Sequence, residues 1–580
     1  MSAEDRVIAL RALNFLRSVH VPTYVALRFL LDTSPQADES SMITSMVERL
    51  SFSETQRIYS VKRFKQIGPH GTAEYRNYSV PSPTHALAEA YALFHLQRVG
   101  LRDKDDFVYS YRPPSSWYYG RNYEHFSASY GKRNADVRRA LSNGDVAIVC
   151  DLKKFYPSVN ARHVVEKLVA AAADTKLERP QLRVIHKCLE ACIQPGELGL
   201  RVGPDLTHTL ADWALNDVDG RLSVQFPARY FRYVDDLVVT VPKPEVESAS
   251  KIIRDIVNSA GFKLNEQKDA VATYEEWSRY INPYAHGNGS IDPLSAFKFR
   301  LKVFLARNPE MIVGVKNELN LLGIFLPFEA LAEATSAATW REKIAQLWRS
   351  DWIVLVRYHF DSMQDIIKNA KECQNLIRED VKTLLSRKVE LSGLSRRWHI
   401  QHARFLINRA LYFLQDEDIA VLVDFMKEIP ELDETAAVST AISKGDFSRV
   451  AVMPGPTASA AAQLARLRGV RPEAGFPWNI QADQMVAADI AATFGVRGFQ
   501  LNIESLNWID MSDSSSLLRF AFKQERVPLE IDSVSYGSEM EALGSGSSYQ
   551  AREQAAESRL LPDEEVVLDA LALGSAYASG

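Results

Sequence analysis

Two adjacent carboxylates, Asp235 and Asp236, follow Tyr233 and Val234 between two apolar, β-rich runs, Tyr230–Phe231 and Leu237–Val239. Side by side at a hairpin tip they repel each other and gain little from packing, a conflict that a bound cation removes. A third carboxylate lies about 85 residues upstream. Asp151 ends the fully apolar run Ala147–Cys150, which reads as a buried strand and puts the acid at the strand's C-terminal edge. From there it can face Asp235 and Asp236 on a neighbouring hairpin. Magnesium takes hard oxygen ligands at ~2.0–2.1 Å and is usually held by one or two carboxylates plus substrate phosphates. Three carboxylates can hold two such ions ~3.5–4 Å apart, one activating a 3′-hydroxyl and the other neutralising the leaving pyrophosphate. The acids in this order therefore imply two-metal nucleotidyl transfer, with Mg²⁺, or Mn²⁺ in its place, as cofactor.

Such acids need a rigid sheet beneath them, and residues 146–295 alternate strand-like and helix-like runs. Residues 147–152 read as a buried strand, 162–177 as a helix and 203–222 as another. Residues 228–241 read as strand, two-residue turn, strand, and Ser248–Ala260 as a helix. Upstream, residues 1–50 are helical by period, with one stripe of Ile8, Ala12, Phe15, Leu16 and Val19 and another of Tyr24, Leu27, Leu30 and Leu31. Residues 51–145 mix short strands with turns and are rich in Tyr and Arg. From about 296 to 450 long amphipathic helices dominate, as in 352–388, with the texture of stacked helical pairs. Residues 454–475 place Pro and Gly around an Ala-rich helix. Residues 540–550 read as a flexible linker and 563–573 as an acidic amphipathic helix.

Composition narrows the class. A length of 580 residues allows three or four domains, and 46% hydrophobic with 24% charged residues excludes disorder along the whole chain. No apolar run approaches the ~18 residues that span a bilayer. The opening residues mix acids with evenly spaced apolar positions, unlike a signal peptide. Cys150, Cys188, Cys192 and Cys373 are too few for a disulfide framework and read as reduced thiols in a cytoplasmic protein without membrane contact. The net charge of −5 is unevenly spread. Residues 51–200 hold 22 Lys and Arg against 15 Asp and Glu, while residues 501–580 hold 5 against 14. A basic middle and an acidic end fit a nucleic-acid-contacting core with a solvating or regulatory tail. Solvated faces can produce the same asymmetry, so the motifs must decide.

Asp151-Leu-Lys-Lys-Phe-Tyr-Pro-Ser-Val resembles motif A of the reverse transcriptases, and Tyr233-Val-Asp235-Asp236 resembles their motif C. Gly199-Leu-Arg-Val-Gly-Pro-Asp-Leu-Thr-His208 is similar to motif B, and Gly261-Phe-Lys-Leu-Asn-Glu-Gln-Lys268 to motif D. Glu74-Tyr-Arg76-Asn-Tyr-Ser-Val-Pro81 resembles the fingers motif; together the motifs cover roughly residues 70–280. The Gly-Pro-x-x-Thr-His-x-Leu form of motif B and the long helical region resemble, more narrowly, the bacterial abortive-infection and defence-associated enzymes of the unknown group.

The resemblance implies an α/β right-hand polymerase. Its parts would be an N-terminal helical segment (1–50), fingers (51–150) and a catalytic palm (151–295). An α-helical, HEAT-like repeat domain (296–450) would replace the thumb, ahead of a C-terminal extension with an acidic tail (451–580). It implies DNA synthesis from dNTPs in anti-phage defence, untemplated and primed on the protein itself, by a homo-oligomer. RNA, a single-stranded DNA product or a non-coding RNA are the implied partners. Two alternatives stand beside it: a retron-like, RNA-templated reverse transcriptase, and an inactive nucleic-acid-binding scaffold. The chain departs from many relatives in carrying Val202 where they carry Gln. It shows no RNase H-like, endonuclease or maturase signature, so retroelement mobility is not expected.

By the same resemblance, Asp151 and Asp235 are ligands of both metals, Asp236 supports them, and the Leu152 carbonyl adds a ligand. Tyr156 falls where the family carries the aromatic that clashes with a ribose 2′-hydroxyl. Gly203, Pro204 and Tyr233 belong to the same substrate-binding set. Arg76 offers a guanidinium fork to a triphosphate. Lys268 would act as general acid toward pyrophosphate or neutralise its charge. Each has a plain structural reading as well: a core aromatic, a strand-edge arginine, a solvated lysine. The stretch from Tyr109 to Phe126 interleaves aromatic rings with Arg112 and Arg121. Bases stack on such rings at ~1–3 kcal/mol each. Arg112 and Arg121 are expected on nucleic-acid phosphates, together with Lys153 and Lys154 beside the catalytic strand. Arg396 to Arg404 reads as part of an ordinary amphipathic helix. For self-priming, Tyr24 and Tyr549 are candidates, as is a serine.

Overall fold

An apolar run without alternation needs cover on both faces. In the computed structural model of the chain, Asp145–Asp151 forms such a strand, buried at every position. The structure describes residues 3–33, 42–50, 58–68, 72–114, 120–124, 126–142, 144–196, 199–266, 269–281, 293–326, 328, 361–386, 393–472, 483–501, 512–522, 536, 539–540 and 543.

Helices α1 (Ala3–Val19), α2 (Val21–Thr33) and α3 (Met42–Leu50) come first, where the apolar stripes predict them. Strands β1 (Ile58–Ile67) and β2 (Ala73–Pro81) form an antiparallel hairpin. Helix α4 (Pro83–Arg98) follows, started by Ser82, whose Oγ accepts from the His85 N–H, and by Pro83 in its first turn. Helix α5 (Phe126–Ala140) leads into β3 (Asp145–Asp151). Then come α6 (Phe155–Ser158), α7 (Ala161–Ala173), α8 (Arg179–Ala191), α9 (Leu206–Ala214) and α10 (Asn216–Gln225). Strands β4 (Tyr230–Tyr233) and β5 (Asp236–Pro242) make the expected hairpin, followed by α11 (Val246–Ser259), β6 (Ala270–Thr273) and α12 (Tyr274–Ile281).

The four-stranded sheet has the order β4-β5-β3-β6 and is antiparallel throughout. On one face Val146, Ile148, Cys150, Leu237 and Val239 enter the main core with α7, α8 and α11. On the other, Ala147, Val149, Phe231, Val238 and Ala272 pack under Val137 of α5 and Trp277 of α12. Two expected helices are shorter than their patterns. The run 203–222 is two helices broken at Leu215, whose N–H bonds to the Asp212 carbonyl only three residues back. The run 162–177 stops at Ala173, and Asp174 closes it.

The helical region comprises α13 (Pro293–Arg307), α14 (Ile312–Leu321), α15 (Met363–Ser386), α16 (Gly393–Phe413), α17 (Asp416–Met426), α18 (Asp433–Lys444) and α19 (Pro456–Arg468). Leu301, Leu319, Ile366, Ile407, Leu422, Ile442 and Leu464 share its own core. Ser362 and Asp365 exchange backbone-to-side-chain hydrogen bonds and fix the start of α15.

Helices α20 (Gln484–Gly495) and α21 (Ser512–Phe522) turn back on the start of the chain. Ala492, Val496, Leu517, Phe520 and Tyr536 join the main core beside Leu13, Leu27 and Tyr59. Buried polar contacts lock this junction. His20 Nε2 lies 2.6 Å from Asp489 Oδ1, and the Thr84 N–H and hydroxyl both donate to the Glu539 carboxylate at 2.7 and 2.8 Å. The Tyr59 ring stacks on Tyr536 at 4.8 Å. Met540, expected to open a flexible linker, is fully buried, and Leu543 packs on the same core three residues on. The rest of that linker and the acidic helix at 563–573 lie outside the described residues. All four cysteines are buried free thiols. Among the described residues no helix is long and apolar enough to cross a membrane.

Candidate active site

Register brings the acids together. Asp151 on β3 pairs directly with Asp236 on β5, and Tyr233 on β4 pairs with Asp236 from the other side. Direct cross-strand partners share a face of the sheet. Asp151, Asp236 and Tyr233 therefore emerge together at one edge, on the face lined by Val149 and Val238. Asp235 stands in the two-residue turn with Val234, which holds a φ of 55° without being glycine. Such turns favour positive φ at this position, and a β-branched residue there stores strain at the tip. The turn is tied to the neighbouring strand, since the Leu152 N–H donates to the Asp235 carbonyl at 3.2 Å.

A third segment closes the edge. The Asn265 N–H donates to the Asp151 carbonyl at 2.7 Å, and its side-chain amide donates to Asp151 Oδ2 at 3.1 Å. The Lys153 N–H donates to the Lys263 carbonyl at 2.8 Å. Asp151 is 6% exposed; Asp235 and Asp236 are half-buried. Among the described residues no group of three or more His, Cys, Asp or Glu is placed to hold a metal ion by itself. The Asp151–Asp236 pair offers the one or two carboxylates by which magnesium is usually held, the rest of its shell being water and substrate phosphates.

Behind the hairpin lies a charge cluster that pattern reading missed. Arg232 forks Asp219 through Nε and NH2, at 2.8 and 2.7 Å. Its NH1 donates to Asp212 Oδ1 at 2.9 Å and to the Val234 carbonyl at 3.1 Å. Lys104 Nζ reaches Asp212 Oδ2 at 2.6 Å, and the Tyr230 hydroxyl donates to Asp219 at 2.6 Å. Burial works to raise the Asp212 pKa, but Lys104 and Arg232 hold it below the usual carboxylate range. The cluster thus grips the turn that carries Asp235 from behind. A signal was available: an arginine inside an apolar strand requires buried acids, and Asp212 and Asp219 lie seven residues, or about two helical turns, apart.

Tyr156 sits on α6, five residues past Asp151. Its hydroxyl lies 2.7 Å from His208 Nδ1 and 3.4 Å from the Tyr111 hydroxyl. The Tyr111 ring stacks on His208 at 4.0 Å and 11°. Burial pushes the His208 imidazole down to about 4, so it is neutral near pH 7 and Nδ1 can accept the tyrosine proton. The Leu200 N–H donates to the Tyr156 carbonyl at 2.9 Å, and the Ser79 N–H to the Val202 carbonyl at 2.8 Å. The loop carrying Gly203 and Pro204 is thereby wedged against β2 and buried. Gly203 has a φ of 136°, and a Cβ there would overlap the Ser79 carbonyl. Beside it Asp205 accepts from the Asn122 amide at 2.6 Å, and burial pushes its carboxyl up to about 7.

Residues 67–324 match the family described as reverse transcriptase (RNA-dependent DNA polymerase). The chain carries a reverse transcriptase domain. A solved structure of telomerase from Candida albicans, in complex with a fragment of telomeric RNA, is similar at 13% identity and a TM-score of 0.28. The similarity covers 73% of this chain and 63% of that one. No curated protein matches.

Other expected residues of the reverse transcriptase domain are placed as follows. Lys153 and Lys154 are exposed beside the catalytic edge, Lys154 with a φ of 49°. Tyr233 is half-buried, with its ring edge-on to Tyr130 at 5.1 Å. Arg76 is exposed on β2, opposite Arg63 of β1. Arg112 donates to the carbonyls of Val108 and Asp105 at 2.6 and 2.7 Å, bracing the loop, and Arg121 is half-buried nearby. Lys268 and Tyr549 lie outside the described residues. The Tyr24 hydroxyl is buried among the N-terminal helices and accepts from Arg28 at 3.0 Å. Arg396 and Arg404 both bind Glu431, by its carboxylate and its carbonyl respectively, as an ordinary helix face would.

Proposed function

We propose that this chain synthesises DNA from dNTPs at the edge formed by Asp151, Asp235 and Asp236. The observation that supports this most is the direct pairing of Asp151 with Asp236 beside the Tyr233–Asp236 turn. Asp151, Asp235, Asp236 and the Leu152 carbonyl would hold two Mg²⁺ ions, or Mn²⁺, which supply charge neutralisation at the attacking hydroxyl and the leaving pyrophosphate. The chain's own part is positioning and fixed electrostatics. Asn265 orients the Asp151 carboxylate, and Arg232 fixes the turn through Val234. On this reading the Tyr156 ring meets an entering 2′-hydroxyl and excludes NTPs. Arg76, Arg112, Arg121, Lys153 and Lys154 supply positive charge along the path of triphosphate and nucleic acid, and Lys268 serves the leaving group.

We propose further that synthesis is untemplated and primed on a protein hydroxyl, in anti-phage defence by a homo-oligomer. The form of motif B and the helical region, read as a HEAT-like array in place of a thumb, support this reading. The buried Tyr24 hydroxyl favours a primer elsewhere in the chain, with Tyr549 the next candidate. The test uses full-length protein stripped of nucleic acid, with Mg²⁺ and each labelled dNTP alone, run on denaturing gels with and without protease. Label that travels with the protein and is freed by protease is expected. Incorporation that begins only when RNA and a primer are added would replace this mode with templated synthesis and leave the polymerase reading intact. No incorporation under either condition would overturn both.

A further inference from the structure

A ring excludes a 2′-hydroxyl only if it does not yield. Tyr156 is poorly supported by its own element, since α6 has four residues and begins after Lys154 in the left-handed region. Its stiffness must come from outside. The hydroxyl is held by His208, 2.7 Å away on the first turns of α9, and His208 is 6% exposed. The imidazole is in turn clamped between the stacked face of Tyr111 and the edge of Tyr123, whose centroid is 6.0 Å away. Tyr123 is pinned by its hydroxyl, which donates to the Asp205 carbonyl at 2.6 Å. Tyr111 keeps a φ of 49°, a conformation that costs a non-glycine residue energy and tends to persist where function selects it. Arg112, the next residue, ties that backbone to Val108 and Asp105.

We propose that His208 and Tyr111 are positioning residues for sugar selection, holding Tyr156 so that the choice of dNTP over NTP depends on three rings acting as one. The inference rests on the reading of Tyr156 as the gate. It adds a hydrogen-bond acceptor and a stacking partner, from two other segments, to a discrimination otherwise assigned to one side chain.

The test is the ratio of kcat/KM for dTTP over UTP, measured with the full chain on poly(rA) primed with oligo(dT) and also without template. Because both nucleotides meet the same preparation, a loss of folded protein cancels from the ratio. Tyr156→Ala is expected to lower the ratio about a hundredfold. His208→Leu and Tyr156→Phe, which each remove the hydrogen bond, should lower it about tenfold. Their double variant should fall no further than Tyr156→Phe alone, because that change already deletes the bond to His208. His208→Asn, which keeps an acceptor near the Nδ1 position, should stay within about twofold of the unmodified chain. A ratio unmoved by His208→Leu and Tyr111→Ala, while Tyr156→Ala lowers it, would overturn the inference and leave the gate standing. A ratio unmoved by Tyr156→Ala would remove the gate, and the inference with it.

Discussion

Behind the β4–β5 hairpin, Asp212 and Asp219 meet Lys104 and Arg232 in a buried cluster with as many cations as acids. At its tip, Asp235 and Asp236 sit half-buried beside Asp151, whose carboxylate accepts from the neutral amide of Asn265. The same residue type serves opposite ends within one supersecondary unit. Acids that build are neutralised by the chain itself, in a geometry that burial makes costly to disturb. Asp235 and Asp236 instead flank a strained turn at a sheet edge, where the proposed reading puts a metal and its substrate. Among the contacts described, the bond from Arg232 to the Val234 carbonyl joins the two sets.

Deleting one negative charge on each side separates them. Asp235→Asn is expected to cut dNTP incorporation by at least about 10³-fold. Its melting temperature should hold or rise, because a repulsion is relieved. Asp219→Asn should do the reverse in kind, leaving Arg232 half-paired in the interior and costing about 3–5 kcal/mol, read by urea unfolding. If Asp219→Asn unfolds no more easily than Asp235→Asn, the contrast collapses.

A third buried acid sharpens the contrast, since Asp205 has no cation within hydrogen-bond reach among the contacts described for its carboxyl. Its folded-state pKa of about 7 lies above its unfolded value of 3.8. Folding therefore takes up a proton between these limits, and stability declines as pH rises through that window before levelling off. Asp205→Asn cannot titrate, so its melting curve should be flatter from pH 4 to 7 and should exceed the unmodified chain by about 2–4 °C at pH 8. An equal offset at pH 4 and pH 8 would discard this account. The smallest effect is expected outside the hairpin. Lys153→Ala should weaken nucleic-acid binding uniformly across sequences and reduce the salt-dependence slope by about one, as a titration from low to high salt would show.

Much of this was legible before the coordinates. The strand ending at Asp151 and the hairpin around Asp235 and Asp236 follow from apolar runs interrupted by acids where no packing benefit exists. The pairing of Asp151 with Asp236 was not legible, because a register is set by how strands meet and a one-residue slip leaves the sequence unchanged. The Arg232 cluster was half legible: the arginine advertised a need, but only packing chose Lys104, more than a hundred residues away in the chain, as the second cation. The partnership of Tyr156 with His208 and Tyr111 joins three segments that share no local pattern. The return of α20, α21 and Met540 to the first helices was hidden for the same reason, and Met540 among Gly and Ser neighbours looked like linker.

That return has a consequence for how the molecule is made. Leu13, Leu27 and Tyr59 leave the ribosome early, yet part of the surface that covers them is Val496, Leu517, Tyr536 and Met540. At ~5–20 residues per second, translation of the intervening stretch lasts roughly half a minute to nearly two minutes. Through that interval the apolar faces of α1, α2 and β1 lack this part of their cover, and for its second half the four-stranded sheet is already complete in sequence. The order of the helices thus delays completion of this core, and a chain cut short before α20 holds Asp151, Asp235 and Asp236 with that core unfinished.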